Sequence, residues 1–175
     1  MIGVPYDPNI IPLTRIFDLM ILYETGNPAR IGHFLKVHGY AAQIGRLEKI
    51  GYPKQLILEM AAIMHDIGIK PALEKYGSSA GQYQEELGPS AALQMIKMMN
   101  IPDKTIERVC FLIGHHHTYT GVDGIDWQIL LEADFLVNME EEKMSEKAIE
   151  SAYKNVFKTP SGKRLCEIIY GVKTD

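Results

Sequence analysis

Apolar side chains recur along most of this chain at spacings of three and four residues, the period of an amphipathic α-helix. Ile16, Leu19, Met20 and Tyr23 form the first such row and predict a helix over 13–23, closed by Thr25-Gly26-Asn27. Asn27 and Pro28 then supply a cap and a first turn for a second helix, over about 28–50, stopped by Gly51. Its inward stripe reads as Phe34, His38, Ala41, Ala42 and Gly45. A third helix begins near Pro53 and carries Leu58, Ala61, Ala62 and His65 on one face, with Ile63 leading into Asp66.

A short helical piece ends at Tyr76-Gly77, and the small residues after it make 77–84 the expected mobile loop. Further helices are expected over about 89–99, from Pro102 or Asp103 into His115-His116-His117, and over about 126–139, 145–157 and 160–170. Pro5, Pro8 and Pro12 deny a helix to residues 1–12, which read as an extended arm. No segment alternates with period two, and no repeat is evident. The fold class is therefore all-α, a compact multi-helix bundle.

With 175 residues and 46% hydrophobic content, one soluble domain is expected over 1–175. Its core spans 28–140, with the arm and first helix (1–27) before it and two helices (141–175) after it. Lys plus Arg number 18 against 22 Asp plus Glu, with no basic block, so no long nucleic acid is expected as a partner. Cys110 and Cys166 fall in apolar helical patterns and read as reduced and structural. A leader pattern and a bilayer-spanning run are both missing, which makes the cytoplasm the expected location and a membrane no partner.

Four polar residues stand where helical periodicity expects burial: His38, His65, Asp66 and Asp134. Consecutive helical positions are about 100° apart, so His65 and Asp66 can converge only on a point over the groove between them. An unpartnered buried carboxylate costs on the order of several kcal/mol. The apolar stripes offer no Arg or Lys beside these two aspartates, whereas a divalent cation held by two imidazoles and two carboxylates neutralises both. Taken singly, each residue is more simply a hydrogen-bonded core histidine or a capping aspartate. Four of them on three helices point to a metal shell.

This order, a histidine, a later His-Asp pair and a distal aspartate, resembles the HD-domain metal-dependent phosphohydrolases over roughly 30–138. His38 in Val37-His38-Gly39-Tyr40-Ala41 fits the first element, His65-Asp66 in Met64-His65-Asp66-Ile67-Gly68 the second, and Asp134 in Glu132-Ala133-Asp134 the last. The resemblance implies a bundle of the HD-domain type and hydrolysis of a phosphate ester or anhydride, usually of a nucleotide, at one or two metals. It also implies that histidines at the place of His115, His116 and His117 hold a second ion or touch substrate phosphate. Periodicity picks His116, in line with Val109, Leu112 and Ile113, as the most inward. Two-metal relatives commonly carry another histidine where this chain has Gln84-Glu85-Glu86, so Glu85 or Glu86 would have to substitute as an oxygen ligand. Lys70, just beyond the His-Asp pair, is the residue the resemblance offers for substrate phosphate. His33 and Arg30 read as surface residues near the mouth.

The expected activity is thus that of a phosphohydrolase, whether phosphomonoesterase, phosphodiesterase or nucleoside polyphosphate hydrolase. Metal-activated water would attack phosphorus, Asp66 would orient it as well as ligate, and His116 and Lys70 would serve the reaction. Mn, Fe, Co and Ni all suit such a shell. The alternative is a non-catalytic module that keeps a metal or nucleotide as ligand.

Overall fold

A computed structural model describes residues 12–172; the arm expected over 1–12 lies outside them except for Pro12, which opens the first helix. Among the described residues nine α-helices follow one another: α1 (Pro12–Tyr23), α2 (Pro28–Leu47), α3 (Tyr52–Met64), α4 (Ile69–Tyr76), α5 (Gly81–Ile96), α6 (Asp103–Ile113), α7 (Ile125–Glu141), α8 (Glu146–Asn155) and α9 (Pro160–Tyr170). A 3-10 turn, His65–Gly68, joins α3 to α4, and no strand occurs among the described residues.

Local signals set many of the boundaries. Asn27 accepts a hydrogen bond from Arg30 N at the start of α2, Ser145 from Ala148 N at α8, and Thr159 from Gly162 N at α9. Gly77 and Gly171 end α4 and α9 in the left-handed conformation that favours glycine.

Helix α3 is the axis of the packing and touches α1, α2, α6 and α7. Every residue from Leu58 to Met64 is buried, as expected of a helix with neighbours on all sides. Helix α2 lies between α3 and α7, and α9 covers α7 and α2. Cys110 and Cys166 remain unpaired within this packing.

One expected boundary is displaced. The stretch 77–84 is not a loop throughout: α5 starts at Gly81 and runs through Pro89. Tertiary packing overrides the proline signal here. A Cβ on Gly68 would come within 2.5 Å of Gln84 O, and one on Gly88 within 2.8 Å of Ile113 Cγ2. Only glycines at these places let the first half of α5 lie directly on the 3-10 turn and α6.

A buried glutamate fastens the C-terminal helices. Glu132 Oε1 accepts from Lys158 N at 2.6 Å, Thr159 N at 2.8 Å and Gln128 Nε2 at 2.8 Å, and Oε2 accepts from Thr159 Oγ1. Glu132→Ala would leave the Lys158 and Thr159 donors unpaired, while Gln128 keeps Val156 O, so a loss of about 3 kcal/mol in urea denaturation is expected, with metal uptake unchanged. A loss under about 0.5 kcal/mol would contradict the clamp.

Candidate metal centre

Met64 breaks the α-helical path of α3, and the next four residues wind more tightly. At about three residues per turn the chain turns roughly 120° per residue. Within that turn His65 Nδ1 donates to Ala62 O at 2.9 Å, and His65 Nε2 ends 3.6 Å from Asp66 Oδ2. Helix α7 brings Asp134, whose Oδ1 lies 3.5 Å from His65 Nε2.

The remaining imidazole is His33. Its Nε2 stands 3.1 Å from His65 Nε2, 3.3 Å from Asp134 Oδ1 and 3.5 Å from Asp66 Oδ2. His33 belongs to the row His33, Val37, Ala41 and Ile44, all buried, so the periodicity of α2 contained it. His38, expected in its place, lies some 140° further round the helix. There His38 Nε2 pairs with Glu59 Oε2 at 2.9 Å, and its ring meets Phe17 edge-on at 4.7 Å. Arg46 and Gln55 complete the partners of Glu59, at 3.1 and 2.7 Å. His38 is therefore a half-buried residue partnered by Glu59, and the first histidine of the cluster is His33.

A second group adjoins the first through Asp66. His116 Nε2 faces Asp66 Oδ1 at 3.6 Å while its Nδ1 donates to Ile113 O at 2.7 Å. His117 packs beside it, ring centroids 4.1 Å apart. His33, His65 and Asp66 form one group with ligand atoms close enough for a single ion, and Asp66, His116 and His117 form another.

The other expected site residues are elsewhere. His115 turns away from the cluster, its Nδ1 donating to Phe111 O at 2.7 Å and its ring stacked on Phe111 at 4.1 Å. Lys70 donates to Tyr23 O, lies over the Tyr23 ring at 4.5 Å and has Glu24 at 3.8 Å. A lysine suits the open carbonyls at the C-terminus of α1, and that is where its charge is held. Glu85 serves as an anchor, its Oε1 accepting from His117 N and Thr118 Oγ1, both at 2.9 Å. Glu86 pairs on the surface with Lys75 and Tyr76.

Electrostatics mark the cluster as short of positive charge. Burial by itself would depress the His65 imidazole, yet Asp66 and Asp134 outweigh it and push its pKa up to about 9. His33 is raised in the same way: burial opposes, and Asp134 with Asp66 prevails. For Asp66 and Asp134 burial pulls upward, but the adjacent imidazoles hold both well below the usual carboxylate range. His117 departs in the other direction, down to about 4, through burial and the neighbouring His116. Buried and without a hydrogen-bond partner are His116 Nε2, His117 Nε2 and Asp134 Oδ1. Asp134 Oδ1 lies beside His33 and His65, and His116 Nε2 faces Asp66, so the orphaned atoms border both groups, and cations there would satisfy them.

The HD domain family matches the chain over residues 30–155. The chain belongs to the HD-domain family. HD domains bind divalent metals, and the His/Asp groups of this HD domain are placed to hold one. A solved structure described as a predicted HD superfamily hydrolase, from an uncultured Thermotogales bacterium, is similar to it in fold. The TM-score is 0.67 at 23% identity, over 93% of this chain and 87% of that one. No curated protein matches the chain in sequence. Among the described residues no helix is long and apolar enough to cross a membrane.

Proposed function

We propose that this HD domain is a metal-dependent phosphohydrolase in which His33, His65, Asp66 and Asp134 hold one divalent ion and Asp66, His116 and His117 hold a second. One observation carries the reading. The Nδ1 atoms of His33, His65 and His116 each face an acceptor: a Glu141 carboxylate oxygen and the carbonyls of Ala62 and Ile113. In its neutral form each ring therefore bears its proton on Nδ1 and turns an Nε2 lone pair toward Asp66 and Asp134. Lone pairs and carboxylates so disposed repel unless protons or a cation lie among them, and the raised imidazoles of His33 and His65 report that demand for positive charge.

A bound divalent ion supplies a nucleophilic water at neutral pH and offsets charge on phosphoryl oxygens. The residues do the rest. Asp66 directs Oδ2 toward His33 and His65 and Oδ1 toward His116, so its one carboxylate can serve both groups and orient the attacking water. His117, neutral near pH 7, adds an uncharged nitrogen to the same wall. Asp66 is the more exposed of the two aspartates, its side chain 22% exposed against 5% for Asp134, while His65 and His116 are closed off. A small phosphorylated molecule is the substrate class, a nucleotide foremost, and Mn, Fe, Co and Ni are the candidate ions.

The purified chain, loaded with each of these metals and offered nucleotides and generic phosphoesters, is expected to release phosphate. Chelation should stop turnover and metal re-addition restore it. Bound metal without turnover across the panel would favour the non-catalytic module instead, and no metal uptake after reconstitution would defeat both readings.

A further inference from the structure

The anchors of the three converging imidazoles differ in kind. His65 and His116 each give Nδ1–H to a main-chain carbonyl three residues earlier, so their orientation comes with the backbone. His33 has no such carbonyl; its Nδ1 lies 2.8 Å from Glu141 Oε2, contributed by the far end of α7. Glu141 stands two helical turns beyond Asp134 on the same helix, so α7 brings both a carboxylate of the cluster and this outer carboxylate to α2. The other oxygen, Oε1, accepts from Lys36 Nζ at 2.9 Å, and Lys36 sits one turn after His33. The carboxylate is thus held on both sides by α2.

Within Glu140-Glu141-Glu142, a run that reads from sequence as a solvated helix end, Glu141 stands apart. Its side chain is 33% exposed, against 72% for Glu140, whose Oε2 is 3.9 Å from Lys36. A carboxylate on Nδ1 fixes the tautomer and the ring plane of a ligating histidine and makes Nε2 a better donor.

We propose that Glu141 is a positioning residue that acts through His33 to set the affinity of the His33, His65, Asp66 and Asp134 group for a divalent cation. This rests on the metal reading above. Lys36 holds the carboxylate in place, and no other side chain among the described residues touches His33 Nδ1.

The test is Mn(II) alone, titrated into the metal-free full chain and followed by the electron paramagnetic resonance signal of the free ion, with Ni(II) as a second probe. Glu141→Ala should weaken binding ten- to a hundredfold. Glu141→Gln should recover most of that loss, because its amide oxygen still accepts from Nδ1–H. Melting temperatures of the metal-free variants should stay within about 2 °C of wild type, since the residue is partly exposed. Wild-type affinity in Glu141→Ala would overturn the inference while leaving the metal reading intact. Equal weakening in both variants, with melting temperature falling in both, would overturn it in favour of a structural role. A wild-type chain that takes up neither ion would overturn the metal reading and this inference with it.

Discussion

Asp66→Ala is expected to reduce kcat/KM for phosphate release by roughly 10³-fold or more, the largest effect of any single substitution in this protein. Asp66 is the one residue shared by both His/Asp groups. Its removal takes away half of the negative charge that draws a cation into the first group and the only carboxylate of the second. If an ion contributes several kcal/mol of transition-state stabilisation, losing its proper seat costs about one factor of ten for each 1.4 kcal/mol. Steady-state kinetics at saturating metal, with the metal content of each sample measured, checks this. Turnover within tenfold of wild type would mean that Asp66 neither seats an ion nor orients water.

The second large effect separates two histidines five residues apart. His33→Ala should lower divalent-metal affinity by about 10²-fold or more and reduce turnover at limiting metal in proportion, since a ligand should matter at least as much as the groups that orient it. His38→Ala should leave metal uptake and kinetics close to wild type and instead destabilise the fold by about 1–3 kcal/mol, because it strips a partner from buried Glu59.

The His38 loss should depend on pH with a definite sign. Burial holds the His38 imidazole below its ordinary value of 6.5, with Glu59 opposing only in part. A depressed folded-state pKa means that the unfolded chain binds the proton more readily. The stability His38 contributes is therefore present above about pH 6.5 and is lost as pH falls through its folded value. Denaturant melts of wild type and His38→Ala across that range should converge toward low pH. Loss of metal in His38→Ala but not in His33→Ala would reverse the assignment.

Much of the helical order was legible along the chain. Asn27-Pro28, Thr159-Pro160, Gly77 and Gly171 act within a few residues of themselves, so the caps and stops they announce need no distant partner. The period of three and four reported which side of each helix is buried, and in that sense His65, Asp66, His116 and Asp134 stood out as polar residues on inward faces. Periodicity does not say what a buried residue meets. Helix α2 is buried against both α3 and α7, so it has two inward rows, one ending at His33 and the other passing His38. A sequence signal for the choice existed in Glu59, a carboxylate on the otherwise apolar α3 that could have claimed His38 for the core.

What the sequence by itself determined is therefore an all-α chain with a His-Asp pair at the end of a buried helix and an aspartate on a later one. The tertiary structure alone decided that His33 completes the cluster and that His115 and Lys70 leave it. It also decided that α5 begins at Gly81 and that Glu141 reaches back to α2. The physical reason is the same in each case. Capping and amphipathicity are properties of a few consecutive residues, whereas the partner of a buried polar group is supplied by another helix, fixed only when α3, α5 and α7 have packed.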